Sequence, residues 1–308
     1  MCATAILTSA CEHYGVPFHA TVSPDATDGV DVRIEAENEV SLDLLAGNAT
    51  TEAATTIEAG SESAWERAGL ILLEDSPGAA PEVAHTEGLA LVTEDPVDSL
   101  VHSTMIHGPF SGDQDGAADL VSRTGDDRDL ASVVTLAAIE AAPTEARVAD
   151  SIERVLQPTP TPDGPFLTAE GLADVLDVVV SVDPGVGLAL ACGDATAGQR
   201  AIELWRHVAG EIHRAIRGNT PTTSGTVAIY EFGELPAAPT ARVLRDTRGT
   251  ETVFVVTETS VALASRTQSE ERLAEALPEP VTRHGDTRVS APHDGASETI
   301  REQVREQL

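Results

Sequence analysis

Two aspartates in the first hundred residues lie where carboxylates could hold a cation. Asp75 follows the apolar run LILL at residues 70–73, and Asp95 follows LALV at residues 89–92, each aspartate being preceded by a glutamate. Carboxylate oxygens are the ligands that Mg²⁺ and Mn²⁺ prefer. If both runs are neighbouring strands, Asp75 and Asp95 would form a single-cation site. The alternative is that they are solvated strand ends, because acidic residues are common throughout this chain.

A basic segment at residues 199–217 is the second set of residues that could bind a ligand. Four arginines outnumber two glutamates there, and the helical spacing places an apolar stripe on one side. The guanidinium fork matches phosphate in a bidentate geometry, so the segment is a candidate phosphate-binding or nucleic-acid-binding face. The alternative is pairing with acidic neighbours in the protein. The four candidates are Arg200, Arg206, Arg214 and Arg217.

Other polar residues have ordinary structural interpretations. His102 and His107 are five residues apart, a spacing that does not place both rings on one helical face, so we expect surface histidines rather than a pair of metal ligands. Asp194 and Thr196 follow a glycine where the basic helix begins. A carboxylate there would repel phosphate, so an N-cap by one of these two side chains is the better interpretation.

The amino-acid composition indicates the salt content of the cell and does not indicate a ligand. The chain has 308 residues and no lysine, so its 19 basic residues are all arginine, against 51 Asp and Glu, for a formal net charge of -32. Self-repulsion at that charge opposes compaction in dilute solution, whereas concentrated salt screens it. We therefore expect a cell rich in salt. An acidic surface of this kind is a solubility device and does not exclude nucleic acid as a ligand.

Cysteine usage and hydropathy predict the compartment. The three cysteines form no spaced pair typical of a zinc site or a disulfide framework. The most apolar stretch is interrupted by acidic residues and proline, and the amino terminus lacks the basic region and apolar core of an export signal. We therefore expect a cytoplasmic protein with no membrane partner.

Hydrophobic periodicity predicts strands near the amino terminus and helices after them. The predicted strands are residues 18–22, 30–35, 70–73 and 89–92, and the predicted helices are residues 1–14, 117–121, 130–141 and 145–156. Apolar strands that end in acidic turns, with helices between them, are typical of a parallel sheet of the α/β class. Ligands of such sheets bind at the carboxyl ends of the strands.

A proline-rich run divides the chain. QPTPTPDGP at residues 157–165 carries four prolines in nine residues and predicts a linker, because proline breaks helices and central strands. We expect an α/β domain at residues 1–160, a helical connector at residues 161–218 and a smaller α/β domain at residues 219–308. Beyond the linker the predicted elements are helices near 172–180, 195–217, 241, 270 and 297–308, a Gly-rich turn before the long helix, and strands at 227–232, 252–257 and 261–264.

Four stretches of the chain carry a family resemblance. They are MCATAIL at residues 1–7 with the following GVPF, LILLEDSPG at residues 70–78, residues 171–194 and residues 225–267. Their order resembles the DHH phosphoesterase superfamily, in particular RecJ-like single-strand exonucleases and their inactive relatives in the replication machinery. The resemblance implies a parallel-sheet DHH-like domain, a helical connector and a DHH-associated domain that holds the substrate.

The metal-binding motifs depart from that family. Its enzymes hold two manganese or magnesium ions with aspartates and histidines, and these ions generate the hydroxide that attacks the phosphodiester. Here the first motif would lie before Met1, TEDP at residues 93–96 replaces Asp-His-His, and IEAAP at residues 139–143 replaces the helix that ends in aspartate. Asp75 alone matches the pattern, with Asp95 as a residual neighbour.

The resemblance also implies two substrate-binding arginines in the last domain. Arg266 follows a predicted strand at the position where the associated domain approaches its substrate. RHGDTR at residues 283–288, ending in Arg288, replaces the family's glycine- and histidine-rich motif but keeps a glycine, a histidine and positive charge. Both are candidate nucleic-acid contacts. Arg242, Arg245 and Arg248 lie close to Arg266 in sequence, and the four could clamp the backbone of a nucleic-acid strand. The alternative is that three of the four are ordinary solvated residues.

These features predict a non-catalytic RecJ-like accessory protein of DNA replication or repair. We expect it to bind a replication or repair protein complex, single-stranded DNA or both, without a cofactor. One alternative is a Mn- or Mg-dependent phosphoesterase or single-strand exonuclease whose start is mis-assigned, which a His-x-Asp-x-Asp-like segment encoded before Met1 would favour. The other is an α/β interaction module unrelated to nucleic acid.

Overall fold

The computed structural model describes residues 18–23, 31–36, 41–44 and most of residues 86–308. The gaps in the last range are residues 126, 142–151, 153–154, 157, 159, 161–165, 249, 285–286, 294 and 296.

The described elements alternate between helices and strands. The helices are α1 (Pro96–His102), α2 (Gln114–Ser122), α3 (Asp127–Ala141), α4 (Ala169–Val180), α5 (Pro184–Ala191), α6 (Ala195–Gly218), α7 (Ala237–Thr247), α8 (Glu270–Glu275) and α9 (Ser297–Gln307). The strands are β1 (Phe18–Ser23), β2 (Asp31–Ala36), β3 (Ser41–Leu44), β4 (Thr222–Ser224), β5 (Val227–Glu231), β6 (Thr252–Val256), β7 (Ser260–Ser265), β8 (Thr282–Arg283) and β9 (Arg288–Pro292).

The first three strands form an antiparallel sheet in the order β1-β2-β3. β2 alternates apolar and charged residues, which is the period-two pattern of a strand. The strands predicted at residues 18–22 and 30–35 are confirmed, and β3 is an addition. The helix predicted at residues 1–14 and the strand at residues 70–73 lie outside the described residues. The parallel sheet expected in this domain is therefore not among the strands described there.

The strand predicted at residues 89–92 is wrong. The backbone of this run bonds to a later segment of the chain instead of a neighbouring strand. Ala90 N donates to Val155 O at 2.7 Å, and Thr168 Oγ1 donates to Leu91 O at 2.9 Å. The apolar side chains are buried, but burial alone does not distinguish a strand from an extended segment packed on helices.

Helices α1 to α3 enclose a core of their own. α2 and α3 confirm the helices predicted at residues 117–121 and 130–141, whereas α1 was not predicted. Leu100 of α1, Phe110 of the following loop and Val134 of α3 are buried in this core. Most of the helix predicted at residues 145–156 lies outside the described residues.

The connector consists of three helices that pack on one another. α4 and the long helix α6 confirm the predictions, but the predicted Gly-rich turn between them contains the helix α5. Asp183 caps α5 by accepting from Val186 N at 3.1 Å, with Pro184 in the first turn. Gly187 lies so close to α4 that a Cβ atom there would be 2.5 Å from a Val180 methyl group. The glycines therefore serve close helix packing and not only a turn.

The C-terminal sheet has six strands in the order β4-β5-β6-β7-β9-β8. β5 and β6 are parallel and are joined through α7, while the other neighbours are antiparallel. The strands predicted at 227–232, 252–257 and 261–264 are confirmed as β5, β6 and β7, and helices α7, α8 and α9 lie where helices were predicted. β4, β8 and β9 are additions. The fold is α/β with a mixed sheet.

Each face of this sheet is covered by helices. Alternate residues of one strand face opposite sides, so Val253 and Val255 join the core of α4, α6 and α7, whereas Phe254 and Val256 join the core of α8 and α9. The connector helices and one face of the C-terminal sheet thus share a continuous core. In the described part of the chain, no helix combines the length and apolarity that crossing a bilayer requires.

Candidate functional site

Two aspartates of α4 form the centre of a buried polar network. Asp174 and Asp177 are three residues apart and therefore lie on the same side of the helix. The rest of this helix is strongly apolar, and Val175 and Val178 are fully buried. A carboxylate in such surroundings is stable only if hydrogen bonds and opposite charges replace its water.

Asp174 is held by three other segments of the chain. Trp205 Nε1 of α6 donates to Asp174 Oδ2 at 3.1 Å, and Thr104 N in the loop after α1 donates to the same oxygen at 3.0 Å. Asp174 Oδ1 accepts from the Thr104 hydroxyl and from Arg242 Nη2 of α7, the latter at 3.3 Å. This carboxylate thus joins α4 to α6, to α7 and to the loop after α1.

Asp177 lies between two arginines of the C-terminal domain. Arg242 Nε donates to Asp177 Oδ2 at 2.9 Å. Arg288 Nη1 of β9 donates to the same oxygen at 2.9 Å, while its Nη2 donates to Asp177 Oδ1. The two carboxylates, Asp174 and Asp177, and the two guanidiniums balance in charge.

Burial and charge act in opposite directions on the two carboxyl groups. Burial raises the pKa of Asp174 above its usual value, and Arg242, Thr104 and Trp205 oppose that rise. Burial also acts to raise the pKa of Asp177, but the charges of Arg288 and Arg242 outweigh it and hold the pKa well below the usual range. Removing either arginine would therefore leave the two carboxylates, Asp174 and Asp177, with one counter-charge between them.

A second, polar stripe of α6, formed by Arg206, Gly210, His213 and Arg217, packs against α1 and the loop that follows it. Arg206 forms a bidentate pair with Asp98, its Nε donating to Oδ1 at 2.9 Å and its Nη2 to Oδ2 at 2.8 Å. Burial acts to raise the pKa of Asp98, but hydrogen bonds from His102 and Arg206 hold it well below the usual range. Arg206 is therefore paired inside the protein, as the alternative interpretation of the basic helix expected.

Further along the same stripe, α6 holds the loop that follows α1. His213 is fully buried, and its Nε2 lies 3.0 Å from the Ser103 carbonyl. Arg217 Nη2 donates to the carbonyl of Pro109 at 2.8 Å and also to that of Ser111. The polar face of α6 therefore packs against α1 and the loop that follows it, and this contact surface is called the seam below.

Two imidazoles meet in this seam. His107 Nδ1 lies 2.9 Å from His213 Nδ1. A carbonyl only accepts, so His213 Nε2 carries the proton that goes to Ser103, and in the neutral ring its Nδ1 accepts from His107. Burial, with the charges of Arg217 and Arg248, lowers the pKa of His107 to about 4. The prediction of His107 as a surface histidine is therefore wrong.

His102 is also half-buried rather than on the surface. Its ring packs against Trp205 with ring centroids 5.6 Å apart, and its Nδ1 lies 3.1 Å from Asp98 Oδ1. The N-cap prediction is confirmed for Asp194, which accepts from Thr196 N at 2.8 Å.

The other predicted arginines of α6 pair within their own helix. Arg200 Nη1 lies 3.7 Å from Glu203 Oε2, and Arg214 Nη1 lies 2.6 Å from Glu211 Oε1. All four side chains are more than a third exposed, so each pair contributes little to stability. The structure does not bring Arg200 and Arg214 into the seam with Arg206 and the histidines.

Arg266 and Arg288, the two candidates in the C-terminal domain, lie next to carboxylates. Arg288 binds Asp177 as described above. Arg266 Nη2 is 3.7 Å from Asp246 Oδ1, and Arg245 Nε is 2.8 Å from the same oxygen. Asp246 is buried, so this ion pair belongs to the packing of α7 on the sheet.

Asp95 begins a helix in the structure. Its side chain is exposed and accepts from Val97 N at 2.9 Å, with Pro96 in the first turn of α1. Asp75 lies outside the described residues, so its pairing with Asp95 stays a prediction. Within residues 86–308, apart from their gaps, no three side chains of His, Cys, Asp and Glu are grouped to hold a metal ion.

Sequence reasoning missed the residues at the centre of the network. Asp174 and Asp177 were not selected as site residues, although two acids interrupting an apolar helix are the kind of signal that marks a buried polar site. Arg242 was considered only as part of a clamp on a nucleic-acid strand, whereas it binds both carboxylates. Both carboxylates already accept hydrogen bonds from protein donors. Their chemistry is therefore to hold α4, α7, β9 and the loop after α1 together.

Comparison with known proteins finds a relative in Haloarcula marismortui that is described as uncharacterized. The two sequences are 33% identical over 290 residues, which covers 87% of this chain and 78% of that protein. No family model matches the chain. The relative comes from a halophilic archaeon, in line with the salt-rich cell expected from the composition.

Proposed function

The chain belongs to the same family as the uncharacterized Haloarcula marismortui protein, and we propose that it is a non-catalytic, RecJ-like accessory protein of DNA replication or repair. In this role it serves as a scaffold that binds a partner protein. The order of its sequence motifs, which resembles that of RecJ-like proteins, supports the replication or repair setting.

Arg206, Arg242 and Arg288 are engaged by carboxylates of the protein itself, and this observation carries the proposal. Arg206 is bidentate on Asp98, and Arg242 and Arg288 both bind Asp177. A guanidinium that already donates to a carboxylate has fewer donors to offer a phosphate. These pairs support an internal framework rather than a clamp on a DNA strand.

The position of the family's paired histidines supports the absence of catalysis. Here the chain carries Glu94, Asp95 and Pro96, and Asp95 uses its carboxylate to cap α1. Two-metal hydrolysis needs several carboxylate and imidazole ligands directed at one point. The helix N-cap gives a structural use to Asp95, one of the two candidate ligands.

Affinity capture with a matched variant tests the scaffold role. A tagged chain expressed in a haloarchaeal host and recovered in molar KCl should enrich a replication or repair protein in quantitative mass spectrometry. Asp177→Asn removes the carboxylate that Arg242 and Arg288 bind, and this variant should lose the replication or repair protein. Arg123→Gln breaks an exposed pair with Asp119 and should retain it. Enrichment of no replication or repair protein would contradict the proposal.

Binding of single-stranded DNA is the second candidate function. It is favoured by Arg217, which is exposed and has no carboxylate partner among the described residues. Fluorescence anisotropy of a labelled oligonucleotide in molar KCl tests it, and Arg217→Gln should weaken binding. Because phosphate contacts release counterions, affinity should fall steeply as salt rises. An affinity that is equal in the variant would reject this candidate.

A further inference from the structure

Two arginines contact or belong to the last turn of α6, and neither has an acidic partner among the described residues. Arg248, the C-cap of α7, donates through Nη2 to the carbonyl of Ile216, the residue that precedes Arg217. Neither Arg217 nor Arg248 has a carboxylate partner within the described part of the chain. The chain has a formal net charge of -32. Most of the described arginines have a carboxylate partner, whereas these two have none in the same part of the chain.

The positive charges of these arginines act on two further side chains, His107 and Tyr230. Burial lowers the pKa of His107, and the charges of Arg217 and Arg248 lower it further. Burial raises the pKa of Tyr230 in β5, and the charge of Arg248 opposes that rise. The charges of both arginines thus act on His107, and the charge of Arg248 also acts on Tyr230.

Both guanidiniums have donors to spare. Arg217 uses only Nη2 for the carbonyls of the loop after α1, so Nε and Nη1 have no acceptor in the described part of the chain. Arg248 uses Nη2 for Ile216, while its Nε is buried and lacks an acceptor. A buried donor without an acceptor is costly and calls for a missing ligand or water.

We infer that Arg217 and Arg248 form a binding site for a phosphate group. Two guanidiniums offer several N–H donors to the oxygens of one phosphate, which a monovalent chloride ion cannot satisfy in the same way. The phosphate is either free inorganic phosphate or a terminal group of a nucleic acid. This inference goes beyond the scaffold role and does not depend on it.

Titration with defined probes tests the site. Inorganic phosphate, and a single-stranded oligonucleotide with and without a 5′ phosphate, are titrated calorimetrically into the full chain in molar KCl. Arg217→Gln and Arg248→Gln should each weaken binding about tenfold or more, because each removes a charge-assisted fork. Arg214→Gln is the matched control, because Arg214 lies on the same helix and pairs with Glu211.

Each outcome decides for or against the site. Binding of inorganic phosphate that both variants weaken supports a site for the free ion. Binding of only the 5′-phosphorylated oligonucleotide, with the same variant pattern, supports the site with nucleic acid as the source. Binding of neither probe, or equal losses in Arg214→Gln, overturns it. If Arg248→Gln does not fold, the exposed Arg217→Gln and the charge-keeping Arg217→Lys decide, the latter being expected to show a smaller loss.

Discussion

Arg288 and Asp177 are 111 residues apart in sequence and form a bidentate ion pair between β9 and α4. Arg288 is buried, and the same carboxylate binds Arg242. This pair therefore connects the C-terminal sheet to the connector helix through a neutralised charge inside the protein. Mutation of this ion pair therefore tests the scaffold proposal.

Asp177→Asn should destabilise the protein strongly. The change leaves Arg242 and Arg288 close together with one fewer carboxylate, and breaking a buried pair from one side costs about 3–5 kcal/mol of the free energy of unfolding. Urea denaturation followed by circular dichroism in molar KCl measures the loss. Asp119→Asn, which breaks the exposed pair with Arg123, should cost less than about 1 kcal/mol. Equal losses of the free energy of unfolding in the two variants would show that the buried network stabilises the protein no more than an exposed ion pair does.

The histidine seam should make stability depend on mildly acidic pH. The pKa of His107 falls from 6.5 to about 4 on folding, so between these values the unfolded chain binds a proton that the folded chain does not. The free energy of unfolding should therefore decrease as the pH falls through this window, by on the order of 1–3 kcal/mol. His213 acts in the same direction, because burial lowers its pKa too.

Variants separate this effect from general acid denaturation. His107→Gln should reduce the slope of stability against pH between 6.5 and 4. His207→Gln, an exposed histidine of the same helix as His213, should leave the slope unchanged. Because folding lowers the pKa of Asp177, its carboxylate stabilises the protein above the usual pKa of aspartate. That stability is lost only as the pH falls below this usual value. Urea denaturation at a series of pH values measures both slopes, and an unchanged slope in His107→Gln would contradict the assignment.

Two glycines should respond oppositely to alanine. A Cβ atom at Gly187 would lie 2.5 Å from a methyl group of Val180, so Gly187→Ala should push α5 from α4 and cost about 1–3 kcal/mol. Gly198 in the first turns of α6 has nothing within 4 Å of its added Cβ. Gly198→Ala should stabilise the helix by about 0.5–1 kcal/mol. Thermal unfolding of both variants checks the signs, and a neutral Gly187→Ala would reject the close packing.

Local pattern was sufficient to predict α6 and its buried stripe. Trp205, Ala209, Ile212 and Ile216 recur at helical spacing, and all four are fully buried. The cap by Asp194 follows from the same local chemistry. Strands β5 to β7 were equally accessible, because they are continuous apolar runs buried on both faces.

Contacts between distant segments were beyond prediction. The polar stripe of α6 carries the spacing of a ligand-binding face, but Arg206 meets Asp98 from 108 residues away. β9 escaped notice because its sequence RVSAP is short and partly polar, and Arg288 points to Asp177 only once α4 packs on the sheet. Periodicity describes one element at a time, whereas these partners are set by tertiary packing.

The nuclease assay tests the central claim most directly. The purified chain is incubated with single-stranded DNA and Mn²⁺ in molar KCl, beside an active RecJ-like nuclease as the positive control and Asp75→Ala and Asp95→Ala variants of the chain. The account predicts no Mn²⁺-dependent shortening of the DNA by the chain or by either variant. Mn²⁺-dependent cleavage by the chain that Asp75→Ala abolishes would contradict it.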